Sequence, residues 1–183
     1  PITTPSMTMN GEGYGSLEEA VAAARKTAGA DTIPLQKDVE VSTWLVINTD
    51  VTITADKAVT ITGADSQTGS MFRVIGSGKL TIQGASEEAK ITLKAGVNTT
   101  NVVVNNGGDI FLTNVKLIGN ENTVHTETNK ARGIFNDDGN ITAKNVEIAD
   151  MVKGDSIYVL DGTTVNLDNV TITNSGRYGI KVK

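Results

Sequence analysis

Two acidic turns hold the residues of this chain whose types and spacing could do chemistry. Asn136-Asp137-Asp138-Gly139 and Leu160-Asp161-Gly162 recur about one structural repeat apart, with Arg132, Arg177 and Lys181 near in sequence. Carboxylates set beside cations are the parts from which acid–base steps on a charged substrate are assembled. A plainer reading competes. Asp-Gly and Asn-Gly pairs are ordinary tight-turn chemistry, and Asn106-Gly107 occupies the corresponding turn one repeat earlier. The turn reading is the stronger, so Asp137, Asp138, Asp161 and Arg177 stand as an alternative catalytic set, with no catalytic residue in the preferred reading.

Tyr158 and Tyr178 make a second candidate. They sit about one repeat apart, and because Ile157, Val159, Ile180 and Val182 around them must point inward, both rings are expected to face outward on one sheet. Beside Arg177 they would form a shallow sugar platform, which makes Tyr158, Tyr178 and Arg177 the candidate ligand-binding set. Trp44 is expected to cover the N-terminal end of the core. His125 is the only histidine, so a multi-histidine metal site is excluded, and its polar loop reads as solvated. There is no cysteine, hence no disulfide and no thiolate metal site.

The elements that must position these groups are short. Ser16-Leu17-Glu18-Glu19 is a capping box, and Leu17, Ala20, Val21 and Ala24 then repeat at three and four residues, which predicts a helix over 16–28 stopped by Gly29. Residues 1–15 show no period and read as an extended lead-in or linker. After Asp31 the pattern alternates: Val39-Glu40-Val41, Leu45-Val46-Ile47, Val51-Thr52-Ile53 and Val59-Thr60-Ile61 are strands too short to stand alone.

Further on, segments beginning at Met71, Val102, Gly133 and Ser156 overlay by their turn residues. Each is followed by a strand starting at Leu80, Ile110, Ile141 or Val165, and then by one starting at Ile91, Val115, Val146 or Val170. The last three begin with a recurring motif, Asn114-Val115-Lys116-Leu117, Asn145-Val146-Glu147-Ile148 and Asn169-Val170-Thr171-Ile172. Three strands in about 24 residues is the unit, with excess residues placed in outward loops such as Gly119 to Lys130. Strands of one repeat would bond to the next at roughly 4.8 Å, giving an all-β fold. The outward column Thr60, Thr92, Lys116, Glu147, Thr171 is interrupted by opposite charges, which argues against a flat ice-binding hydroxyl ladder and for a Lys116–Glu147 cross-strand pair.

Over about Thr32 to Lys183, on coil length, three strands per coil and the asparagine column, the chain resembles the right-handed, single-stranded parallel β-helix (pectin-lyase-like) superfamily. The resemblance implies one domain over 16–183 whose first coil is covered by the N-terminal helix, and an asparagine ladder, Asn114, Asn145 and Asn169, buried in a bend. Pectate lyases of this superfamily hold calcium on stacked carboxylates and use an arginine base, so it also implies Asp138 and Asp161 as a weak calcium candidate; no other cofactor is expected. Polygalacturonases cluster aspartates in Asn-Thr-Asp, Asp-Asp and Gly-His-Gly motifs. Asn48-Thr49-Asp50 and Asp137-Asp138 echo two of these several coils apart, and no Gly-His-Gly exists.

A formal charge of −5, from 16 basic and 21 acidic side chains, argues against a nucleic-acid partner. No window approaches a membrane helix. The opening on Pro1 and the last repeat begun at Tyr178 read as an excised piece, truncated at the C-terminal end and able to self-associate through an open coil. The preferred expectation is a non-catalytic module of a bacterial cell-surface or secreted protein, an adhesive or carbohydrate-binding stalk meeting a polysaccharide or a host glycan or protein. One alternative is a fragment of a polysaccharide lyase or glycoside hydrolase acting on acidic polysaccharide. A second is a phage tail-spike-like glycan-binding fragment.

Overall fold

The computed structural model describes Pro5 and residues 7–183. Residues 7–14, expected to be an extended lead-in, form a hairpin instead: β1 (Met7–Met9) pairs antiparallel with β2 (Glu12–Tyr14). Asn10 (φ 53°) and Gly11 (φ 80°) both adopt the left-handed conformation that a two-residue primed turn demands, and these residue types adopt it at least cost. Met7 and Met9 are buried, and Asn10 Nδ2 donates to the buried Asp31 carboxylate at 2.9 Å, tying the turn to the sheet. Two apolar residues are too few to register as a period. The rest of the lead-in, residues 1–4 and Ser6, lies outside the described residues.

Helix α1 (Leu17–Ala24) begins as its capping residues predict, with Ser16 Oγ accepting from the Glu19 amide at 3.2 Å. Its buried face is Leu17, Ala20, Val21 and Ala24. It ends four residues short of the expected Ala28. The amides of Lys26 and Thr27 turn back to Ala23 and Ala24, and Thr27 Oγ1 donates to the Ala24 carbonyl at 2.8 Å, which closes the last turn early. Glu18 accepts from the Ser42 amide at 2.6 Å and fixes the helix to the strands that follow.

The remainder is β, and the described residues form a curled, open, mixed sheet with one helix. In order come β3 (Ala30–Leu35), β4 (Val39–Val41), β5 (Leu45–Ile47), β6 (Asp50–Ala55), β7 (Val59–Gly63), β8 (Phe72–Ile75), β9 (Lys79–Gln83) and β10 (Ile91–Lys94). Then follow the long β11 (Asn101–Ile118) and β12 (Arg132–Ala149), and β13 (Ile157–Val159), β14 (Thr164–Thr173) and β15 (Ile180–Val182).

From β3 on, every pairing is parallel and falls into three series. One runs β3, β6, β9, mid-β11, mid-β12, β14. A second runs β4, β7, β10 and the ends of β11, β12 and β14. The third runs β5, β8, the starts of β11 and β12, then β13 and β15. The registers match the overlay read from sequence. Phe72, Val103, Ile134 and Ile157 pair in line, as do Leu80, Ile110, Ile141 and Val165, and Ile91, Val115, Val146 and Val170.

Inward positions of all three series, with the α1 face and β1, form one core. Its C-terminal end is uncovered: Leu167, Ile180 and Val182 are 38%, 50% and 72% exposed. The Lys116–Glu147 register holds, but the Glu147 carboxylate makes its ion pair with Lys90 at 3.8 Å. No helix among the described residues is long and apolar enough to cross a membrane.

The stacking dictates where truncation hurts. Ile110→Ala, at a fully buried position between Leu80 and Ile141, is expected to cost about 2–5 kcal/mol. Phe111→Ala, one residue along and facing outward, is expected to cost less than about 1 kcal/mol. Urea unfolding of the two variants checks the contrast.

Candidate functional site

The outward column of the third strand series reads Val46, Arg73, Val104, Phe135, Tyr158, Lys181. Alternation fixes this: the strand residues on either side point inward, apolar except for the buried amides Asn105 and Asn136, so each side chain of the column must leave the sheet. Phe135 and Tyr158 meet with ring centroids 5.2 Å apart, tilted by 49°. The Arg132 guanidinium lies 5.0 Å from the Phe135 centroid and 4.7 Å from that of Tyr158. The Lys181 ammonium lies 5.7 Å from Tyr158 and 5.1 Å from Tyr178, and Arg177 lies 5.3 Å from Tyr178. Rings and cations thus alternate along one face.

The expected trio of Tyr158, Tyr178 and Arg177 is therefore brought together, with a change of partner. Pairing of Ile157 with Ile180 sets Tyr158 opposite Lys181, and Tyr178, which precedes β15, joins the group through the Lys181 ammonium. An open tyrosine platform is not what forms, because the protein's own cations lie over the rings.

Beneath the face is a carboxylate that the sequence reading passed over. Asp155 is fully buried, its Oδ2 3.8 Å from Arg132 Nε and 3.9 Å from Arg177 Nη1. Neither oxygen receives a hydrogen bond among the described residues. The contact is charge against charge, holding both guanidinium groups from below. Lys130 completes the cluster. Partial desolvation, then the charges of Arg177, Arg132 and Lys181, lower its ammonium pKa below the ordinary value, with Asp155 opposing and too weak to cancel them. Phe135 and Lys181 were legible as the outward residues of aligned segments; Asp155 sits between strands, where no pattern announces it.

The acidic turns lie elsewhere in the bonding pattern. Asp137 Oδ2 accepts from Asn106 Nδ2 at 2.7 Å, and Asn106 Oδ1 accepts from Arg73 Nε at 2.7 Å. Asp161 accepts from the amide of Gly162 at 3.0 Å, as a turn residue does. Asp137, Asp138 and Asp161 are all exposed, and Arg177 is committed to Asp155 rather than to them. Among the described residues no group of three or more acidic or histidine side chains is gathered to hold a metal ion.

Asn114, Asn145 and Asn169 each take a left-handed φ of 51–54°, and their side chains bond in series, Asn145 Nδ2 to Asn114 Oδ1 at 3.3 Å and Asn169 Nδ2 to Asn145 Oδ1 at 2.9 Å. The ladder is shallower than expected: Asn114 and Asn145 are half-buried and Asn169 is exposed. The fully buried asparagines are Asn105 and Asn136. They bond the carbonyls of Gly108 and Asn140, and of Gly139 and Thr164, at 3.0–3.2 Å. His125 is also not solvated. Its loop folds back on residues 97–98, with the Val124 amide on the Val97 carbonyl at 3.0 Å, which buries the ring and sets Nε2 3.2 Å from the Asn98 carbonyl. Trp44 is half-exposed, packed against Gly69 with Arg73 5.3 Å from its ring, and does not cover the core.

Two contrasts test these roles. Asp155→Asn leaves two guanidinium groups without their counter-charge and is expected to cost about 3 kcal/mol, whereas Asp138→Asn is expected to change stability by less than about 0.5 kcal/mol; thermal melts at neutral pH read both. Asn145→Ala should be the worse of two ladder variants by about 1 kcal/mol, because Asn145→Gly loses the same bonds but accepts the left-handed φ without strain. Comparison with family models, with curated proteins and with solved structures finds no match for this chain.

Proposed function

We propose that this chain is a non-catalytic module of the right-handed parallel β-helix type, belonging to a bacterial cell-surface or secreted protein, that binds carbohydrate on the face built from Phe135, Tyr158 and Tyr178. Three parallel strand series with matched registers support the β-helix reading. One observation carries the functional reading: three aromatic rings and three cations alternate on a single face, fixed from beneath by a buried carboxylate. Such a surface recognises extended polar chains through ring edges and charged hydrogen-bond donors. The aspartates of the rival hydrolytic reading are turn residues on the surface, one spent on Asn106.

The uncovered apolar end favours self-association as a second property. Ile157, Val159, Val165, Leu167, Ile180 and Val182 line a groove of about 310 Å3 there. A tail-spike-like assembly would use this end.

A glycan array is the direct test. Binding is expected, and Tyr178→Ala should weaken it by about tenfold. Incubation with acidic glycans and calcium is expected to give no unsaturated or hydrolysed product, and millimolar calcium is expected to leave the thermal midpoint unmoved, since a bound ion would raise it by mass action. Calcium-dependent turnover would establish the lyase reading instead. Size-exclusion chromatography across a range of protein concentrations reports on the apolar end.

A further inference from the structure

We infer that the ring-and-cation face selects polyanionic glycans, those bearing carboxylate or sulfate, and contacts their charges directly with Lys130, Arg132, Arg177 and Lys181 rather than through a bound divalent ion. The inference rests on the glycan-binding reading above and specifies its ligand.

The first support is a local imbalance of charge. Four cations gather on a protein whose formal charge is −5, and the carboxylate placed among them is Asp155. Asp155 is fully buried beneath the face, so it fixes the two guanidinium groups from below and leaves the outward field positive. Lys130 and Lys181 have no ion pair among the described residues. The lowered Lys130 pKa agrees with this: desolvation is the first cause, and the charges of Arg177, Arg132 and Lys181 lower it further, with too little negative charge in return. An anion docking there supplies it.

The second support is the state of the rings. A neutral sugar stacks on an open aromatic face, but Arg132 lies over Phe135 and Tyr158, and Lys181 and Arg177 lie over Tyr178. Stacking would require these cations to leave. An anionic group meets them where they already are, and the rings hold long, entropically costly side chains in place before binding. Arginine and lysine together suit carboxylate and sulfate, the first by a planar fork and the second as a mobile point charge. Nucleic acid fits less well, because an extended phosphodiester chain would leave this small patch for a surface of net negative charge.

The test uses the full chain with hyaluronan as the carboxylated probe, dextran sulfate as the sulfated one, dextran as the neutral one and duplex DNA as a competing polyanion, each by titration calorimetry with and without chelator. Hyaluronan or dextran sulfate is expected to bind at least about tenfold more tightly than dextran, and to weaken steeply between about 0.05 and 0.2 M salt. The arm that binds distinguishes carboxylate from sulfate. The double variant Lys130→Gln/Lys181→Gln, whose two side chains lie outside the Asp155 contact, is expected to lose about tenfold in affinity with an unchanged circular dichroism spectrum. Loss of binding on adding chelator would overturn the direct-contact inference. Equal affinity for dextran would overturn the charge inference while leaving the glycan-binding reading intact. DNA binding as tight as that of the acidic glycans would replace a glycan site with a general polyanion site, and no binding to any glycan would remove the reading on which the inference rests.

Discussion

Register between parallel strands is the constraint on which everything else in this protein depends. Side chains alternate along a strand, so a slip of one residue in any pairing would send a column of buried isoleucine and valine to solvent and bring threonine and lysine into the core. The columns through Ile110 and Val115 stay in line across several neighbours in both directions. Turn chemistry holds that register. Gly107, Gly108 and Gly139 and the ladder asparagines supply the positive φ values at which β11, β12 and β14 bend, and the Gly108 backbone passes so close to Gly78 that a Cβ there would lie 2.2 Å from its carbonyl oxygen.

The same register sets the chemistry of the outer face. Once Ile134, Ile157 and Ile180 are locked inward, Phe135, Tyr158 and Lys181 have to emerge beside one another. The cations then find two kinds of partner, ring faces outside and a buried carboxylate inside. Burying Asp155 without hydrogen bonds is expensive, and the cost is tolerable because two guanidinium groups bring opposite charge to the same oxygen. Asn105 and Asn136 solve a related problem in the inward column, where they stand in line with Val74 and Val159: an amide there is buried, and it satisfies carbonyls that the glycine turns leave exposed.

The two ends of the strand series are treated differently. At the N-terminal side the hairpin of β1 and β2 pairs antiparallel with β3, and α1 lays Leu17, Ala20, Val21 and Ala24 on the core. At the other side Leu167, Ile180 and Val182 are exposed, and Val165, Val170 and Ile172 are half-covered.

Much of this was legible in the residues alone. Alternation named the strands, the recurring Asn-Val motif and the turn glycines aligned them, and the capping serine placed the helix start, because each depends on neighbours within a few positions along the chain. Tyr158, Tyr178 and Arg177 could be named as a group for the same reason, since the alignment that stacks the strands also stacks their outward residues. What the tertiary structure alone decided depends on atoms far apart in sequence. His125 was buried by a loop folding back on Val97 and Asn98, and Asp155 acquired meaning when Arg132 and Arg177 arrived from either side. No local pattern encodes these, because burial and charge pairing are properties of a residue's surroundings in space, whereas a strand's alternation is a property of the chain itself.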